Sequence, residues 1–281
     1  MKKHIISIIL VGFFATTVAP ADQPTHVVLI DDFSGPELET FHGITRATPE
    51  DLRDVIKALA GTAFTLTYTA VGEDADHQKP VVLKLPSFAG CPPVPVANPE
   101  TLDLRTLTDL SERFFREKQT FQKARDEWLA EARDATDAFQ RSVLLEQMRT
   151  AQVFNKNVVR FGENYRRSDV AGATLLAVRL LPFDPNVRKV LILNTDCADA
   201  PFGKPSRTAP FTDKEISPDV ILLFVNTSRR PEQGALFSGL KNPVRSAESL
   251  PAAAKLMAAP EPATEPSGAS PLAIHFHQSK P

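Results

Sequence analysis

Residues 27–37 read VVLIDDFSGPE: four apolar side chains run straight into Asp31, Asp32, Ser34 and Gly35. Short oxygen-bearing side chains at a strand end have two chemistries open to them. Their carboxylates and hydroxyls can hold a hard divalent cation such as Mg²⁺ or Mn²⁺. They can equally close the turn, accepting backbone N–H groups as caps. A second apolar run, VRKVLILNTD at 187–196, also stops on an aspartate, Asp196. Of the first pair, Asp32 is read as the functional carboxylate and Asp31 as its bystander.

The elements that must position these groups are marked by periodicity and punctuation. THVVLID (25–31) is continuously apolar, the pattern of a strand covered on both faces. TPEDLRDVIKALAG (48–61) has a Thr-Pro helix start, one apolar face and a closing glycine. TAFTLTYTAVG (62–72) alternates as a strand, and VVLKLP (81–86) is its hairpin partner. From Glu100 to Phe161 there is neither glycine nor proline. Leu107, Phe114, Phe121, Trp128 and Ala135 recur there at intervals of seven, a helical seam. A single helix of that length reaches roughly 90 Å; the alternative is a helical hairpin. DVAGATLLAVRLL (169–181) reads as a helix stopped by Pro182, and PDVILLFVNTS (218–228) as another buried strand. EQGALFSGL (232–240) and SLPAAAKLMAA (249–259) are weaker helices. Buried strands alternating with helices predict an α/β fold, a doubly wound, mostly parallel sheet with a long helical insertion. Ligands in such sheets sit at the carboxyl ends of the strands, where Asp32 and Asp196 fall.

HVVLIDDFSGP, taken with RRSDVAGATLLAVRLLPFDPNVRKVLILNTDCAD, resembles the von Willebrand factor A (VWFA) domain. The resemblance covers roughly 25–90 and 167–240. It implies a metal-ion-dependent adhesion site built from a D-x-S-x-S motif, a threonine from a later loop and an aspartate ending a further strand. Asp32 and Ser34 match the first two motif members, Ser168 falls where the threonine is expected, Asp169 follows it, and Asp196 matches the strand-end aspartate. The implied partner is a protein engaged through a bridging Mg²⁺ or Mn²⁺. Departures are plain: Pro36 replaces the second serine, Cys197 stands where glycine is common, and 197–217 is proline-rich where the family has a helix. The domains follow as 22–98 and 168–244 for the VWFA-like unit, 99–167 for a helical, coiled-coil-like insertion, and 245–281 for a Pro/Ala-rich disordered tail.

The chain opens MKKHIISIILVGFFATTVAPA, with a basic start, an apolar stretch and a small-x-small end. That is a secretory signal over residues 1–21, and it predicts a secreted, periplasmic protein with no membrane span after cleavage. The net charge of −2 becomes about −4 without Lys2 and Lys3, which speaks against a nucleic-acid partner. Cys91 and Cys197 form either a disulfide or two separate small buried residues. Enzyme signatures are lacking: there is no H-E-x-x-H, G-x-x-x-x-G-K-[ST], G-x-S-x-G or C-x-x-C. Asp32 with His42-Gly43 faintly resembles a subtilisin-like hydrolase, but Ser168 lacks that family's serine motif. His275 and His277 read as a surface pair. A binding protein is therefore expected, working through the Asp32 edge or through homo-oligomerisation of the helical arm.

Overall fold

The structure, a computed structural model, describes residues 23–33, 46–59, 63–86, 104–162, 167–195, 197, 199–225 and 233–258. Six strands form one sheet: β1 (Thr25–Asp32), β2 (Phe64–Val71), β3 (Val81–Leu85), β4 (Arg188–Asn194), β5 (Val220–Val225) and β6 (Val244–Ala247). Their order is β3-β2-β1-β4-β5-β6. All neighbours are parallel except β2 and β3, the hairpin pair read from the sequence. The chain leaves β1 toward β2 on one side and later returns to β4 on the other. The gap between the carboxyl ends of β1 and β4 is therefore the switch point of the sheet, where open α/β sheets bind ligands.

Helices cover both faces because the central strands are apolar on both sides. One layer holds α1 (Pro49–Leu59), the far end of α2 (Leu104–Phe161) and α5 (Leu250–Ala258). It packs on Val27, Leu29, Leu66 and Tyr68. The other holds α3 (Val170–Leu180), α4 (Gln233–Phe237) and the irregular run 199–217, which buries Phe211 and Ile216 against Val28, Ile30, Leu191 and Leu193. Successive crossovers move outward from β1 in opposite directions on opposite faces, as right-handed connections require.

The choice between a long helix and a hairpin resolves to one continuous α2 of 58 residues. Its two halves differ. No residue from Thr108 to Ala138 is buried, whereas Phe139, Val143, Glu146 and Phe154 are. Glu146 is tied to Arg149 and accepts the Lys79 backbone N–H at 3.1 Å, fixing the helix to the β2–β3 connection. The insertion expected over 99–167 is thus partly core. The disordered tail expected from 245 is contradicted over 245–258: β6 adds an edge strand, and α5 buries Leu250, Ala253, Ala254 and Met257. Arg188 and Arg245 donate to the Met257 and Leu256 carbonyls, satisfying acceptors at the end of α5.

Candidate functional site

Strand alternation sends Asp31 and Asp32 to opposite faces of the sheet. Asp31, read as a bystander to Asp32, faces away from the Asp32 cluster and is engaged in the core. Its carboxylate is fully buried and accepts from Tyr68 Oη at 2.8 Å, Asn194 Nδ2 at 2.8 Å, the Ala47 backbone N–H at 3.1 Å and Gln147 Nε2 at 3.4 Å. One side chain thereby joins β1, β2, β4, α2 and the approach to α1. Burial pushes its pKa up to about 6, with the Tyr68, Asn194 and Ala47 hydrogen bonds and the Arg46 charge pulling the other way. Burial also raises Tyr68, and the neighbouring Asp31 charge adds to that. Nothing in VVLIDD shows which aspartate has these donors, since they lie 16 to 163 residues away.

On the other face, residues singled out in the sequence do come together. Ser168 Oγ donates to Asp32 Oδ1 at 3.1 Å across 136 residues of chain. Thr195 Oγ1 donates to Asp32 Oδ2 at 2.6 Å. All three residues are buried. Thr195 went unnoticed in the sequence; its place immediately before the strand-end aspartate was the available signal. Ser168 is held by a two-way backbone bridge with Ala200, at 3.0 and 2.7 Å. Because Ser168 donates to the carboxylate itself, the described residues contain no serine–histidine pair at this point.

Asp169 faces elsewhere. It is the N-cap of α3, accepting the Gly172 N–H at 2.8 Å, and its second oxygen accepts the Ala75 N–H at 2.9 Å. The carboxylate sits so close that a Cβ on residue 172 would stand 2.5 Å from Oδ1. Glycine in DVAGA is therefore required by the cap. Asp199 accepts the Ala171 and Arg207 N–H groups, so two aspartates orient the start of α3. Cys197 is buried and adopts φ +57°, the left-handed region that favours glycine. The Thr195 hydroxyl accepts its N–H at 3.0 Å and steadies that turn.

Beside this edge lies a cavity of about 390 Å³ between α2 and the segment after β2. Phe33 forms one wall, and Arg46 stacks on the Phe33 ring at 4.1 Å on the side of a second groove. Ser34, Pro36, Asp196, Cys91, His42, Gly43, His275 and His277 lie outside the described residues, as does the signal segment 1–21. Among the described residues, no group of three or more His, Cys, Asp or Glu is placed to hold a metal. Asp32, Ser168 and Thr195 nevertheless form an oxygen-only donor set, whose chemistry fits a hard divalent cation rather than a soft one.

No protein-family model, curated protein or solved structure matches the chain. The class defined here is thus an α/β domain with a six-stranded, mostly parallel sheet and one very long helix.

Proposed function

We propose that this chain is a secreted, periplasmic protein–protein interaction domain of the von Willebrand factor A type. Its partner docks at the carboxyl edge of β1 and β4. The observation that carries the reading is the approach of Ser168 to Asp32 across 136 residues, at the switch point of a sheet ordered β3-β2-β1-β4-β5-β6. The left-handed backbone at Cys197, where the family commonly has glycine, supports the same reading. Asp32 and Ser168, with Ser34 and Asp196, would hold a Mg²⁺ or Mn²⁺ ion. Such an ion supplies an open coordination position for an acidic side chain of the partner. Asp169 belongs to the site through the α3 cap, which sets the position of Ser168.

Calorimetric titration of Mg²⁺ and Mn²⁺ tests this. Saturable binding in the wild type that disappears in Asp32→Ala and Asp196→Ala is the expected result. Heat of dilution alone in the wild type refutes the cation, and Asp32 is then a buried carboxylate satisfied by hydroxyls.

A second reading places recognition on the projecting half of α2. It is favoured by Phe115 and Leu129, which are 63% and 46% exposed on a helix segment with no buried residue.

A further inference from the structure

The 390 Å³ cavity has a chemistry that neither the Asp32 cluster nor the helical arm uses. Its volume lies in the range of small-molecule sites. The lining is mainly apolar: Phe33 from the end of β1, Gly72 after β2, and Val153 and Phe154 from α2. Phe202 forms the outer wall, its ring 5.8 Å from that of Phe161. Val153 and Phe202 are 44% and 47% exposed, so apolar surface reaches the mouth, beside the exposed Arg167.

Among the described residues, the charges of the lining are committed, with one exception. Arg149 donates to Glu146 and to the His77 carbonyl. Asp74 is paired with Lys204 and His77, and Glu73 accepts from Asn157. Arg167 lines the cavity, is exposed, and takes part in no hydrogen bond or ion pair among the described residues.

We propose that this cavity binds a small apolar molecule bearing a single carboxylate, with its chain inside and its carboxylate on Arg167. A planar guanidinium matches a carboxylate in two-point geometry. Among the described residues of the lining, Arg167 is the one uncommitted cation, which matches one negative charge and disfavours a doubly charged phosphate. Enclosure by five parts of the chain suits a compact ligand rather than a protein surface.

Calorimetry with decanoate, and with decan-1-ol as its uncharged counterpart, decides the matter; EDTA throughout separates it from any cation. The wild type is expected to bind decanoate saturably at one site. Arg167→Gln should weaken decanoate about tenfold, the order expected for losing one charge-assisted contact, and leave decan-1-ol unchanged. Val153→Trp should block both by filling the cavity. Absence of saturable decanoate binding overturns the proposal. So does equal affinity in Arg167→Gln, a surface change whose fold is checked by circular dichroism, or undiminished binding in Val153→Trp.

Discussion

Asp31 draws widely separated parts of the fold onto one buried carboxylate. Four donors from separate parts of the chain meet on it, all aimed at an ionised acceptor. Burial outweighs them and holds its pKa at about 6, above the ordinary aspartate value of 3.8. The folded state therefore binds the Asp31 proton more tightly than the unfolded chain does. Its contribution to stability is fully present below pH 3.8 and is lost as pH rises through about 6. Over that window the loss amounts to about 3 kcal/mol. Asp31→Asn should be the less stable protein at pH 4, because the amide NH2 would face the donors of Tyr68, Asn194 and Ala47. The wild-type advantage over Asp31→Asn should then shrink between pH 4 and pH 7. Urea unfolding of both proteins across that range measures it; an advantage that stays constant with pH would sink the assignment. Residue types alone could not reveal this. Asp31 and Asp32 are adjacent and chemically identical, and only strand alternation plus distant partners separates their roles.

Among the elements, α2 shows best what periodicity can and cannot say. The absence of Gly and Pro announced a helix, and the helix is there. Heptad spacing could not say which half meets the sheet. That depends on where the β2–β3 hairpin presents Lys79 to Glu146, a contact spanning 67 residues. The projecting half is supported by its own surface pairs, such as Glu112 with Arg116 and Arg113 with Glu117, each contributing a few tenths of a kcal/mol. Its anchored half should behave as core. Phe139→Ala, at a side chain 3% exposed, should cost about 3–5 kcal/mol, while Phe115→Ala should shift stability by no more than about 0.5 kcal/mol. Chemical denaturation of the two variants checks the pair, and similar losses would mean the outer half is packed after all. Strands with continuous apolar runs were equally legible, because burial on both faces dictates their composition. β6 was not. VRSA is four residues long with only Ala247 buried, and an edge strand that short carries no alternation to read.

At the scale of the whole molecule, a compact α/β body carries a helix of about 87 Å. Half of that length has no buried residue, yet its side chains are not uniformly polar. Leu110, Phe114, Phe121 and Trp128 remain half-buried along one stripe, and the Trp128 indole N–H reaches the Pro86 carbonyl at 3.3 Å. The lower end of the stripe is thus docked on the body, whereas Phe115 flanks the stripe at 63% exposure, its ring 6.4 Å from that of Phe114. Burying such a ring in a contact contributes roughly 2–3 kcal/mol. If the arm joins two copies of the chain, sedimentation should show concentration-dependent association. Phe115→Glu should abolish it without changing the unfolding midpoint, and EDTA should have no effect. If the arm instead leaves association to the Asp32 edge, the wild type should be monomeric without a divalent cation, and Phe115→Glu should be silent. Sedimentation with and without EDTA separates the two ends of the molecule in one experiment, because each reading predicts a response the other forbids.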